Sequence, residues 1–144
     1  MTNLTLAESC LRKAIDRLDI PDLLMGKGAY SDVVREAQEI VELALKGLLR
    51  FAGVEPPKYH DVGGLLMEHA HRFCPEVASR IPAAARISKK LRKERELAFS
   101  GDIDFIPTEE YGLDDAREAR EGARFVVAMV QAAKEDMVSR QVKS

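Results

Sequence analysis

The chain has 144 residues, of which 46% are hydrophobic and 32% are charged, and its formal net charge is −2. This composition predicts one folded domain over residues 1–144, with a core at about residues 4–138. The nearly neutral charge excludes a globally basic nucleic-acid binder, so such a role would need a local patch. No apolar run reaches the length of a membrane span, and Glu8 and Arg12 interrupt the N-terminal apolar residues. We therefore expect a cytoplasmic protein.

The two cysteines indicate neither a disulfide framework nor a metal site. Cys10 and Cys74 lie in separate predicted helices and form no CxxC pair. Reduced thiols in or near a packed core are the expected arrangement. His69 and His71 are only two residues apart, a spacing that does not place two metal ligands on one helix face. We predict no metal site and no cofactor.

Apolar residues recur at steps of three and four along nearly the whole chain, which predicts an all-α fold. The first predicted helix carries its apolar stripe over residues 4–18, and Pro21 and the Gly-Lys-Gly segment at 26–28 end or break it. The second runs over about residues 31–52 and has the widest apolar stripe, so we expect it to be the most buried. Gly53 is the predicted C-terminal cap of this second helix.

Three further helices are predicted in the rest of the chain. Asp61 is the expected N-cap of the third, which ends before Pro75. The fourth spans about residues 83–99, with Pro82 in its first turn. The last has heptad-like spacing over residues 116–137, and its small residues would let a neighbouring helix approach closely. The short connections predict an up-and-down bundle of four or five helices.

A basic helix ahead of a Gly-Asp turn is the most informative local feature. Arg95 falls on the same stripe as Ala84, Ile87, Leu91 and Ala98. An arginine on a packing face costs free energy unless it is paired or binds a ligand. Arg95 is therefore a candidate clamp for a phosphate group. An ion pair with a nearby carboxylate, such as Asp102 or Asp104, is the alternative.

The other cations of this helix are expected on its sides or its far face; they are Arg86, Lys89, Lys90, Arg92 and Lys93. They could contact a nucleic-acid backbone electrostatically. They could instead form a solvated face, because cations are favoured near a helix C-terminus. Ser100 and Asp102 could line the same polar groove, or the segment could simply end the helix, with Gly101 in the left-handed conformation.

Three segments together resemble the HEPN domain family over residues 29–130. They are AYS at 29–31 with ELALKGLL at 42–49, PKYHDVGGLL at 57–66, and RELAFSGD at 95–102 followed by Pro107, Tyr111 and Ala116. The resemblance implies a helical bundle that forms a homodimer and accompanies a minimal nucleotidyltransferase.

Many HEPN domains are metal-independent ribonucleases that use an Arg, four to six variable residues and a His. Arg95 fits the Arg, but Ser100 stands at the nearest allowed His spacing, and no His follows His71. Histidine suits proton transfer at neutral pH because its pKa lies close to neutrality, whereas a serine hydroxyl cannot act unaided. The chain therefore resembles the non-nuclease branch of the family.

The sequence thus predicts a non-catalytic HEPN-like domain that binds nucleotide or RNA phosphate and a nucleotidyltransferase partner. Its predicted binding residues are Arg95, Ser100, Asp102, Arg92 and Lys93, with no catalytic residue and no metal ligand. A degenerate, toxin-like ribonuclease and a purely structural helical homodimer are the alternatives.

Overall fold

The computed structural model describes residues 2–58, 61–99 and 111–143, with the backbone alone at residues 94–99 and 141–143. Its helices are α1 (Asn3–Asp16), α2 (Asp19–Gly26), α3 (Tyr30–Phe51), α4 (Val62–Glu68), a 3-10 turn (Ala70–Arg72), α5 (Pro75–Phe99) and α6 (Leu113–Lys143). The helices pack into a bundle and the described residues contain no strand, so the predicted all-α bundle is confirmed. None of these helices is both long enough and apolar enough to cross a bilayer.

Helix α3 is the central element and contacts each of the other described α-helices. Twelve of its 22 residues are buried, which confirms the prediction from its wide apolar stripe. A Cβ added at Gly47 would lie 3.2 Å from both the Ala7 carbonyl oxygen and the Cys10 Cβ, so this glycine allows α1 to lie close against α3. Gly53 follows the helix with φ +78°, the left-handed conformation expected of a C-terminal glycine cap.

The first predicted helix is two helices in the structure. Helix α1 ends at Asp16, and Pro21 lies within the first turn of α2 rather than after the helix. Proline is tolerated there because the first backbone N–H groups of a helix have no intrahelical acceptor. Asp61 is the N-cap of α4, as predicted, and its Oδ1 accepts a hydrogen bond from the Gly63 N–H at 3.1 Å.

The predicted start of the fourth helix at Ala83 is wrong. Helix α5 begins at Pro75, seven residues before Pro82, which lies inside the helix. Pro75 suits the first position because its missing N–H would have no partner there. Pro82 removes one helical hydrogen bond, but buried Val77, Ile81 and Ala84 on either side of it keep this helix packed against the core.

Candidate functional site

The C-terminal half of α5 packs one face against the core, as the apolar stripe predicted. Ala84 is fully buried and Leu91 is 4% exposed, while Ile87 is half-buried. A Cβ added at Gly122 of α6 would lie 2.9 Å from the Ile87 Cγ2. Helices α5 and α6 therefore touch closely at this point, at a glycine that lies outside the predicted stripe of α6.

The cations of α5 lie away from that face, as predicted. Arg86, Lys89, Lys90 and Lys93 are exposed, and Arg92 is half-buried. The basic end of α5, which we define as these five residues, therefore presents a cluster of positive charge to solvent. Such a cluster is able to attract a polyanion.

Two carboxylates from other helices meet the basic end. Lys90 Nζ donates a hydrogen bond to Glu118 Oε1 of α6 at 2.6 Å. Arg92 Nη2 lies 3.8 Å from Asp61 Oδ1, which is an ion-pair distance but too long for a hydrogen bond. Arg86, Lys89 and Lys93 form no ion pair with any residue that the structure describes. Among the described residues, no ion pair offsets the charge of these three cations.

The remaining predicted site residues lie wholly or partly outside the described residues. The backbone of α5 continues through position 95 to Phe99, but the Arg95 side chain, Ser100 and Asp102 are not described. Position 95 follows buried Leu91 by four residues and thus lies one helical turn further along α5. The roles of Arg95, Ser100 and Asp102 stay predictions.

A groove between α5 and α6 adjoins the basic end, and sequence reasoning did not find it. Its volume is about 300 Å³, and it is lined by Ala83, Arg86, Ile87, Lys90 and Leu91 of α5 and by Asp115, Glu118 and Ala119 of α6. Its floor is apolar and its rim is charged. Pockets of about this size and character lie at the small end of the range that holds small molecules.

Asp115 of this groove also has a local role at the start of α6. Its Oδ2 accepts a hydrogen bond from the Gly112 N–H at 2.9 Å. This contact satisfies a backbone donor that the helix itself leaves without an acceptor, as in a capping box. The contact also fixes the carboxylate near the helix start, where the helix dipole favours negative charge.

The histidines and cysteines do not form a metal centre in the described part of the chain. His69 is half-buried and its ring centroid lies 6.4 Å from that of exposed His71. Among the residues whose side chains are described, 2–58, 61–93 and 111–140, no group of three or more His, Cys, Asp or Glu is arranged to hold a metal ion. Cys10 and Cys74 are both free thiols and half-buried.

A second charged cluster lies where α1 meets α3, away from the basic end. Arg17 Nη1 donates a hydrogen bond to Glu39 Oε2 at 3.3 Å, and its Nε lies 3.8 Å from Glu36 Oε1. Burial raises the pKa of the Glu36 carboxyl above its ordinary value, and the nearby Arg17 charge offsets only part of this rise. This cluster ties α1 to α3 and belongs to the scaffold.

Comparison with known proteins places the chain in a family. No curated protein and no solved structure matches it. The family model described as HEPN domain matches residues 7–135, a span that includes every described helix either whole or in large part. The chain therefore belongs to the HEPN domain family.

Proposed function

We propose that this HEPN domain binds the phosphate groups of a nucleotide or of RNA at the basic end of α5, without cleaving them. The observation that carries the proposal is the group of exposed cations Arg86, Lys89 and Lys93, which form no ion pair with any described residue. Cations that are not neutralised by the protein release the counterions of a polyanion on binding, which is the main source of such affinity.

Arg95 is the proposed anion clamp, because a guanidinium group presents a planar fork of donors that matches the oxygens of a phosphate. Arg92 and Lys93 would contact the same or the next phosphate. The Arg92 guanidinium is separated from Asp61 by 3.8 Å, so its donors remain available for a shorter contact. Ser100 and Asp102 are proposed as the polar lining beside Arg95.

We propose a non-catalytic role for this domain because Ser100 stands where the ribonuclease motif has its His. Cleavage without a metal needs one group to accept the proton of the 2′-hydroxyl and another to protonate the leaving oxygen. Neither Arg95 nor an unassisted serine exchanges protons readily at neutral pH. RNA incubated with the purified protein should therefore stay intact, and cleavage that disappears in Arg95→Ala would contradict this part of the proposal.

The salt dependence of RNA binding tests the phosphate contacts. We expect saturable binding of a short single-stranded RNA, with affinity that falls as the salt concentration rises. Lys93→Gln should lower the slope of log affinity against log salt by about 0.7, the value for one lost phosphate contact on a single strand. Lys13→Gln, which removes an exposed lysine on α1, is the matched control and should leave the slope unchanged. Equal slopes for the two variants would contradict the proposal.

We also propose that the protein is a cytoplasmic homodimer and the partner of a minimal nucleotidyltransferase. Membership of the HEPN family supports this, since such domains commonly dimerise or pair with these enzymes. Light scattering should give twice the 16.0 kDa mass of the chain. A nucleotidyltransferase encoded beside this chain should co-elute with it from a sizing column. A monomeric mass would contradict the homodimer, and separate elution would contradict the pairing with a nucleotidyltransferase.

A further inference from the structure

We propose that the α5–α6 groove receives the base of a single nucleotide unit whose phosphate lies on the basic end of α5. The phosphate part rests on the proposed function, and the nucleobase site in the groove is the addition. The unit could be a free nucleotide or one residue of an RNA chain. Both share the same chemistry, a flat and largely apolar ring joined to a phosphate.

The floor of the groove suits a flat ring. It is formed by Ala83, Ile87 and Leu91 of α5 and by Ala119 of α6. The two alanines contribute only methyl groups to the floor, and Ile87 of the floor also lies against Gly122 of α6. A ligand that covers an apolar floor of this kind removes it from water, and this burial favours binding.

The rim charges of the groove are largely balanced within the protein. Lys90 and Glu118 form a hydrogen-bonded pair at 2.6 Å, and Asp115 accepts from the Gly112 N–H at 2.9 Å. Arg86 and Asp115 are the two rim residues that make no ion pair with the described residues. The groove therefore suits an uncharged body whose negative end lies toward the excess cations, and a nucleotide has this charge distribution.

The distance along α5 also fits a nucleotide. Ile87 in the floor and Lys93 at the basic end are six residues apart, which corresponds to about 9 Å at the helical rise of 1.5 Å per residue. A nucleotide extends over a similar length from its base to its phosphate. A ligand with phosphate alone would occupy the basic end and leave the apolar floor exposed to water.

The test compares two ligands that differ only in the base. The wild-type protein is titrated with adenosine 5′-monophosphate and with ribose 5-phosphate by calorimetry or NMR. The nucleoside monophosphate should bind about tenfold more tightly, the gain expected when an apolar area equal to two methylene groups is buried. A third titration with a short adenosine RNA identifies the source, because higher affinity per site for the RNA indicates an RNA residue and lower affinity indicates a free nucleotide.

A substitution that fills the groove tests the site, and the same substitution outside the groove is its control. Ala83→Leu places a larger side chain at a half-buried position of the floor, and Ala128→Leu makes the same change at an exposed position of α6 outside the groove. Ala83→Leu should remove the preference for adenosine 5′-monophosphate, and Ala128→Leu should retain it. Equal wild-type affinities for the two small ligands would overturn the nucleobase site and leave the phosphate proposal standing. No binding of either ligand or of the RNA would overturn both.

Discussion

Adding one methyl group at Gly63 should disrupt the contact that holds α4 against α5. A Cβ at Gly63 would lie 2.9 Å from the Ala85 Cα and 3.0 Å from the Ala85 Cβ. These atoms belong to the backbone and the shortest part of a side chain, so no rotamer change relieves the clash. The helices would have to separate, and Asp61 at the start of α4 would move away from Arg92.

The size of the effect follows from two opposing terms. Overpacking a buried contact costs about 1–3 kcal/mol. Replacing glycine by alanine inside a helix returns up to about 1 kcal/mol through higher helix propensity. Gly63→Ala should therefore lower the free energy of unfolding by about 1–2 kcal/mol.

The adjacent Gly64 is the matched control. It is exposed, and a Cβ there would lie 3.3 Å from Asp61 Oδ2, a carboxylate oxygen on an exposed side chain that can shift. Gly64→Ala should leave the stability unchanged or raise it by up to about 1 kcal/mol. In urea unfolding, the midpoint of Gly63→Ala should fall by roughly 0.5–1 M and that of Gly64→Ala should not fall. Equal stabilisation by both substitutions would refute the close α4–α5 contact.

Two further predictions concern charged contacts of the scaffold. Burial raises the pKa of Glu36 in the folded protein. Between the unfolded and the folded pKa values, the folded protein therefore binds more protons at Glu36 than the unfolded chain does. The contribution of Glu36 to stability falls as the pH rises through that window. Glu36→Gln should therefore be more stable than the wild type at pH 7 in thermal melts, with the difference vanishing at acid pH; a constant difference would contradict the assignment. Asp22 accepts hydrogen bonds from Arg120 at 3.2 Å and from Arg124 at 2.9 and 3.1 Å. Since these groups are partly exposed, Asp22→Asn should cost less than about 1 kcal/mol, and less still in high salt; a larger loss, or one that salt does not change, would contradict this view of the contact.

Much of the fold could be predicted from local sequence features. The stripe of α3, the cap at Gly53 and the N-cap at Asp61 depend on neighbours within a few residues, so the sequence displays them directly. The start of α5 could not be predicted in this way, because a proline such as Pro82 is most common in the first turn of a helix and so suggests that the helix begins there. Its place inside α5 depends on the burial of Val77 and Ile81 against other helices, which only the tertiary structure provides.

The candidate site also has features that the sequence predicts and features that depend on the tertiary structure. The stripe through Leu91 and the exposed cations of α5 follow from helical periodicity, and both were predicted correctly. The groove was not predicted, because three of its eight lining residues come from α6. The Lys90–Glu118 contact joins residues 28 positions apart, and no local pattern indicates that these two side chains meet.

The central claim is that the basic end of α5, together with Arg95, binds phosphate. The most direct measurement is a calorimetric titration of the purified protein with a short RNA, run beside Arg95→Ala and Arg12→Ala. Arg12 is an exposed arginine on α1 and controls for the loss of one positive charge. We predict saturable binding that is retained in Arg12→Ala and lost in Arg95→Ala. Binding that is equal in all three proteins, or absent from the wild type, would contradict the claim.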